Sequence, residues 1–392
     1  MHTFRTPGTI WFGEGAAKRV GEALQQKQAK RAAVIADGGI VRAGLLEGIL
    51  ESMRSAGADV EVWDRVVPEP PLAVGDEAVT FIRETAADFV VGVGGGSAMD
   101  LAKAAAVVAG HEGSVADYLN LTGTRKLRGR GIPTALLPTT AGTGSEVTDI
   151  AVFSLDTTKD VITHPYLLAD YAIVDPQLTH SAPSRVTAAS GVDAFTHAAE
   201  AYLSVYASPF TDLYATRAMD LIGSSLRRAV WHGSDTEARN HMALGSLMAG
   251  LAFYNAGVAG VHALAYPLGG LFKVPHGEAN AVLLPYVFAF IMPSCLERMA
   301  RVGSALGLRT GQANSVREEA RLTIRAIRDL IADVGLPAGL SAYGVKDSDL
   351  DRLAADAAKQ TRLLDRSPRK LSLDDIRHIY ENALYEQVDP SV

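Results

Sequence analysis

The chain is expected to fold as an α/β domain built on a parallel sheet over residues 1–183, followed by a mainly α domain over 184–392. Three observations predict this. The 392 residues exceed what one hydrophobic core usually serves, so two domains are the default. From Lys30 onward, short apolar runs alternate with amphipathic stretches, which is the rhythm of repeated βαβ units. Beyond Ser181-Ala182-Pro183-Ser184, apolar residues instead recur at helical spacing over long stretches.

The apolar runs at 32–36, 60–63, 89–93 and 134–137 read as strands, with further strand material at 150–154 and 171–174. Between the first four lie helical patterns near 43–56, 74–86 and 98–109. The polar, basic stretch 25–31 reads as a solvated loop or a helix end. In the second half, helices are expected near 185–205, 209–230, 235–252, 295–306, 313–334, 348–359 and 373–386.

Composition narrows the function. With 48% apolar residues and 37 glycines, the chain can bury a large core and make many tight turns. A formal charge of −7 argues against a nucleic-acid or anionic-membrane partner, which would want a basic face, and leaves a small molecule as the expected partner. The single cysteine, Cys295, allows neither an intrachain disulfide nor a thiolate metal cluster. The N-terminus lacks a charged region followed by an apolar one, and about 18 uninterrupted apolar residues occur nowhere. A cytoplasmic protein is therefore expected.

Residues 89–103 run from an apolar strand through Gly94, Gly95, Gly96 and Ser97 into a helix. Glycines there remove side chains where backbone amides would meet a pyrophosphate, and the helix N-terminus adds about half a positive charge. A second loop at 137–148, Leu-Pro-Thr-Thr-Ala-Gly-Thr-Gly-Ser-Glu-Val-Thr, offers hydroxyls and amides for a ribose or adenine. Two such loops on one sheet favour a dinucleotide. Asp37, ending the first strand before Gly38-Gly39, has two readings: a turn aspartate, or a group that accepts from a ribose hydroxyl and repels a 2′-phosphate. The second favours NAD over NADP.

Asp193 and His197 are four residues apart in a helical stretch and so share one face about one turn apart. His262 and His276 follow, the latter between Pro275 and Gly277. Together they form a set of three imidazoles and one carboxylate, spaced to close around one divalent cation. Imidazole suits iron, zinc, copper or nickel rather than magnesium or calcium; ligand type leaves Fe(II) and Zn(II) both open.

These segments resemble the iron-containing (group III) alcohol dehydrogenase family along nearly the whole chain, from Ile10-Trp-Phe-Gly-Glu-Gly to Pro368-Arg369. The resemblance rests on Gly94-Gly-Gly-Ser-Ala-Met-Asp100, Pro138-Thr-Thr-Ala-Gly-Thr-Gly-Ser-Glu146, Gly191-Val-Asp-Ala-Phe-Thr-His197 and the segment from His262 to His276. It implies the dehydroquinate synthase-like architecture: an α/β N-terminal Rossmann-like domain plus an all-α C-terminal domain, with the active site in the cleft between them. It implies Asp193, His197, His262 and His276 as metal ligands. It implies Asp37, Gly94, Gly95, Gly96, Ser97, Asp100, Thr139, Thr140, Thr143, Lys159 and Leu178 as the positions that hold the nicotinamide dinucleotide, and a homodimer or larger homo-oligomer.

Two departures from the family pattern bear on the substrate. Tyr266 stands where many members carry a further histidine that contacts substrate or relays a proton, so it is a candidate catalytic residue with a phenolic group instead. Ser367-Pro-Arg replaces the usual Asn-Pro-Arg, and Leu363 lies where some members place a pocket cysteine. With Phe253, Tyr254, Val258, Tyr266 and Phe272, Leu363 completes the expected substrate pocket. Lys273 is the only basic residue beside the ligand motifs, which favours a neutral alcohol or aldehyde over a strongly anionic substrate.

The implied reaction is hydride transfer between nicotinamide and a small alcohol or aldehyde polarised by the metal. Glycerol dehydrogenases and dehydroquinate synthases share the fold but use three ligands, so four count against both. A maleylacetate-type or other oxo-acid reductase, or a hydroxyacid-oxoacid transhydrogenase, is the alternative within the fold. A catalytically silent binding protein would be expected to have lost a ligand.

Overall fold

The computed structural model describes residues 2–155, 158–309 and 313–388. Two compact units divide the chain: Thr6–Ala182, and the residues from Pro183 onward. The second unit also takes the N-terminal segment up to Arg5, which the sequence division had given to the α/β domain. The reason is local: Phe4 stacks on Tyr214 with ring centroids 5.3 Å apart, and the Arg5 amide donates to Asn255 Oδ1 at 2.7 Å.

The α/β unit contains β1 (Thr9–Phe12), β2 (Arg31–Ala36), β3 (Asp59–Trp63), β4 (Phe89–Gly94), β5 (Thr134–Pro138), β6 (Ile150–Ser154), β7 (Lys159–Thr163) and β8 (Tyr171–Val174). Its helices are α1 (Val20–Gln26), α2 (Gly38–Arg42), α3 (Glu47–Ser55), α4 (Leu72–Thr85) and α5 (Gly96–Val108). Six strands form one parallel sheet in the order β1-β8-β5-β4-β2-β3. Its central strands are apolar throughout because both faces are covered. Ala33, Ile35, Val90 and Leu136 belong to one core, whereas Ala32, Val34, Val91 and Leu137 belong to the other.

The strand material at 150–154 lies outside this sheet and pairs antiparallel with β7 as a separate hairpin. β1 and β7 carried little sequence signal. The first is four residues long and half-exposed, and the second opens on Lys159-Asp160.

The helical unit contains α6 (Ser184–Leu203), α7 (Pro209–Trp231), α8 (Thr236–Ala256), α9 (Gly260–Phe272), α10 (His276–Ile291), α11 (Leu296–Ala305), α12 (Val316–Asp333), α13 (Leu350–Ala357), α14 (Thr361–Leu364) and α15 (Leu373–Tyr385). Central α6 packs against α7, α8 and α10. The sequence pattern does not announce α9 and α10, because Pro267 and Pro285 lie inside them. A helix tolerates such a proline at the cost of one backbone hydrogen bond when packing holds the rest, and both helices are almost wholly buried.

Among the described residues no single helix is long and apolar enough to cross a membrane. The pair α8 and α9 passes that test only together, with a bend of 103° between them.

Candidate metal centre and nucleotide loop

In the helical unit, α6 carries Asp193 and His197 on one face, while His262 sits in the first turn of α9 and His276 opens α10. The fold thus brings together four residues spread over 84 positions (193 to 276, inclusive). One ligand atom from each lies within 4.8 Å of all the others. Asp193 Oδ1 is at the centre: His197 Nε2 is 3.9 Å away, His262 Nε2 3.7 Å and His276 Nε2 3.8 Å. Asp193, His197 and His262 are buried, and His276 is the partly open member.

An N3O donor set this compact and this dry fits a divalent transition cation. Burial by itself would raise the Asp193 carboxyl, but the imidazoles of His197, His276 and His262 more than reverse this and hold it well below the usual carboxylate range. Burial likewise works against a charged His262, yet Asp193 and Glu200 push it up to about 9.

Two residues that sequence reasoning missed complete the centre. Glu200, also on α6, accepts the Nδ1 proton of His262 at 2.6 Å, so that when Nε2 gives up its proton to a cation its lone pair faces the cluster. It also accepts the backbone amides of Ala259 at 3.0 Å and Val261 at 2.6 Å, tying α6 to the start of α9. Asn280, one turn after His276 on α10, places Nδ2 2.6 Å from Asp193 Oδ1. Glu200 is three residues beyond His197 on α6, and Asn280 is four beyond His276, a spacing that carries meaning only once α10 is known to be a helix.

Of the expected pocket residues, Phe253 and Tyr266 stand against this centre. Phe253 stacks on His197 with centroids 4.4 Å apart, and Tyr266 lies 6.2 Å from the His276 ring. Val258 and Leu363 are buried, and Phe272 is half-buried at the end of α9. Tyr254 lines a cavity of about 430 Å³ together with Tyr206, Asn255, Gly257, Arg362 and Arg366. Burial lowers Arg366, Arg362 adds to this, and Tyr206 and Tyr266 oppose it. A cationic group therefore stands within electrostatic reach of Tyr266 although more than ninety positions separate them in sequence (266 to 366). Proximity in sequence had suggested Lys273 alone.

In the α/β unit, β4 ends at Gly94, whose φ of +151° suits only glycine; a Cβ there would stand 2.7 Å from Ala98 Cβ. Gly95 caps α5. A Cβ on Gly96 would meet Thr143 Cγ2 at 2.9 Å, so the second loop packs directly on the first. Thr140 lies beside Gly95, and the Thr139 amide donates to the Gly94 carbonyl at 2.9 Å. Asp37 caps α2, with Oδ1 accepting from Gly39 and Ile40 at 2.8 and 3.0 Å, while its Oδ2 faces Gly94. The turn-aspartate reading is thus met by the cap.

The Ser97 hydroxyl accepts from the Glu69 amide at 3.2 Å, and Lys159 pairs with the Glu69 carboxylate at 2.8 Å. Leu178 is buried against the sheet. Asp100 is committed to the protein: Oδ1 takes the Ser145 hydroxyl at 2.5 Å and Lys103 at 3.0 Å, and Oδ2 takes the Val152 amide at 3.0 Å. Its place is to fix the second loop and the hairpin to α5.

Beneath this loop, burial raises Glu146 to about 7, against the lowering by its own backbone and by Lys103. Because the folded value lies above the unfolded one near 4.5, folding takes up a proton between them, and stability falls as pH rises from about 4.5 through 7. Glu146→Gln is expected to raise the melting temperature at pH 8 more than at pH 5. Equal shifts at both values would show that Glu146 is ionised in the fold throughout.

A glycine turn from strand to helix in one unit, and a buried N3O centre in the other, are the equipment of an oxidoreductase that pairs a dinucleotide with a metal ion. Comparison with known proteins agrees. Residues 7–176 match the family "Iron-containing alcohol dehydrogenase", and residues 187–384 match "Fe-containing alcohol dehydrogenase family, C-terminal". Long-chain-alcohol dehydrogenase 1 of Geobacillus thermodenitrificans (strain NG80-2) is 56% identical over 377 residues, covering 96% of this chain and 95% of its own. NAD-dependent methanol dehydrogenase of Bacillus methanolicus is 36% identical over 387 residues, covering 98% and 100%. The crystal structure of a 1,3-propanediol oxidoreductase superposes with a TM-score of 0.94 at 37% identity, covering 98% of this chain and 100% of that one. The chain belongs to the iron-containing alcohol dehydrogenase family and is an oxidoreductase acting on CH–OH groups.

Proposed function

We propose that the chain is a metal-dependent, NAD-linked dehydrogenase of straight-chain primary alcohols that also runs as an aldehyde reductase. The observation that carries this reading is the convergence of Asp193 Oδ1 and three imidazole Nε2 atoms in a buried centre. Asp193, His197, His262 and His276 would hold the cation, taken here as Fe(II) with Zn(II) as its competitor. The cation would stabilise an alkoxide or polarise a carbonyl oxygen.

The protein's own groups do the rest. Glu200 keeps His262 in the tautomer that presents Nε2. Phe253, stacked on His197, shields the centre from water and offers an apolar wall. Tyr266 stands beside the open ligand His276, where its hydroxyl would hold or pass the alcohol proton.

The unit Thr6–Ala182 would serve as the dinucleotide domain and the unit from Pro183 onward as the metal and substrate domain. Gly94, Gly95 and Gly96 would let backbone amides reach the pyrophosphate, with Thr139, Thr140, Thr143, Ser97, Lys159 and Leu178 around the nucleotide and Asp100 fixing the loop from behind. Asp37 Oδ2 beside Gly94 would repel a 2′-phosphate. Asp37→Gly sacrifices only a few tenths of a kcal/mol of helix capping. It is expected to raise kcat/KM with NADP relative to NAD by about tenfold, equivalent to about 1.4 kcal/mol; an unchanged ratio would remove Asp37 from cofactor choice. A cytoplasmic homo-oligomer accompanies this reading.

The 56% identical relative is named for long-chain alcohols, and Phe253 lays apolar surface against the ligand His197, so chain length is expected to matter. NADH formation should be followed across primary alcohols from ethanol to hexadecanol, with 1,2- and 1,3-propanediol alongside. Each buried methylene contributes about 0.8 kcal/mol, so kcat/KM is expected to climb up to about fourfold per carbon. Silence with every alcohol, together with NADH-driven reduction of a 2-oxo acid, would establish the oxo-acid reductase reading instead.

A further inference from the structure

Asn280 is completely buried at the focus of the cluster. Its Nδ2 lies 2.6 Å from Asp193 Oδ1, 3.1 Å from His262 Nε2 and 3.2 Å from His276 Nε2, so it contacts three of the four ligand atoms. Its Oδ1 is buried without a hydrogen-bond partner. An amide nitrogen has two protons and no basic lone pair, so it can satisfy at most two of these three contacts. It also directs partial positive charge to the place where a cation belongs. The stranded carbonyl carries an uncompensated desolvation penalty in a buried setting.

Both features are resolved by one motion. Turning the carboxamide about its Cβ–Cγ bond exchanges nitrogen and oxygen, and terminal amide torsions of this kind are soft and roughly two-fold. We propose that Asn280 is a fifth, neutral donor of the metal centre: its NH2 group holds the ligand atoms together without a cation, and its carbonyl oxygen turns to the cation when one binds. An amide oxygen adds coordination without adding charge, so it steadies the ion without deepening its negative surroundings. The inference rests on the metal reading proposed above, and extends it to a residue of a type outside the N3O set.

The test uses Co(II) as a spectroscopic probe, added anaerobically to the chelator-stripped full-length protein, with affinity read by chelator competition and coordination by visible absorption. Wild type is expected to bind one Co(II), and His276→Ala to bind it far more weakly. Asn280→Leu, similar in volume but without a donor, is expected to weaken Co(II) by about 10- to 100-fold and to intensify the visible bands, as a lower coordination number requires. Asn280→Asp, which keeps an oxygen and adds charge, is expected to bind more tightly than wild type with the wild-type spectrum.

Asn280→Leu that is folded by circular dichroism and binds Co(II) within twofold of wild type with unchanged bands overturns the proposal. So does Asn280→Asp with unchanged affinity, should the leucine variant not fold. Wild-type protein that fails to bind Co(II), or binds it equally well as His276→Ala, overturns the metal reading as well.

Discussion

His276→Ala is expected to lose the bound metal and at least about 10³-fold in alcohol oxidation, because a metal that stabilises the developing alkoxide supplies several kcal/mol. His276 is the most informative ligand to remove. It is the only one with an appreciably exposed side chain, 30% against 3–6% for the other three, so its loss leaves the smallest hole in the core. It also opens α10, directly after Pro275. Metal content by elemental analysis and the melting temperature in chelator separate the two effects. A variant that melts like stripped wild type, carries no metal and yet turns over at the wild-type rate would sink the metal's role.

Glu200→Gln has the next largest expected effect, and it acts through His262. The glutamate uses both oxygens as acceptors, for His262 Nδ1 and Ala259 N on one and Val261 N on the other. Glutamine has one acceptor oxygen and a donating NH2, so one of these buried donors must face another donor. The unpaired group costs about 1–3 kcal/mol of stability. Metal affinity is expected to fall about 10- to 100-fold, as is usual when the partner that orients a ligating histidine is lost. Fe(II) or Zn(II) affinity equal to wild type would show that His262 keeps its tautomer without Glu200, and that the glutamate serves only to join α6 to α9.

How much of this was legible in the sequence depends on which physical signal each element carries. The central strands were readable because a sheet covered on both faces demands uninterrupted apolar runs, and β2, β4 and β5 have them. Short, half-exposed β1 and lysine-led β7 make no such demand, and both were missed. At the centre, Asp193 and His197 were visible as a helical pair. His262 and His276 were visible as residues while the helices carrying them were not, since Pro267 and Pro285 hide the period. That is why Asn280 went unnoticed: its relation to His276 exists only once α10 is known to be a helix. Glu200 was hidden differently, because a glutamate on a long helix ordinarily faces solvent, and only its burial against the amides of α9 shows its purpose. Arg366 could be placed near Tyr266 by the fold alone.

The central claim is that Asp193, His197, His262 and His276 hold a divalent cation that the oxidation of an alcohol by NAD requires. Protein stripped by chelator, then reconstituted anaerobically with increasing Fe(II), should be assayed for NADH formation from a saturating primary alcohol while bound iron is counted. The account predicts no NADH without metal and a rate that rises in proportion to iron up to one ion per chain. NADH formation that is undiminished in the stripped protein, or that stays absent with one iron bound and every alcohol supplied, would contradict it.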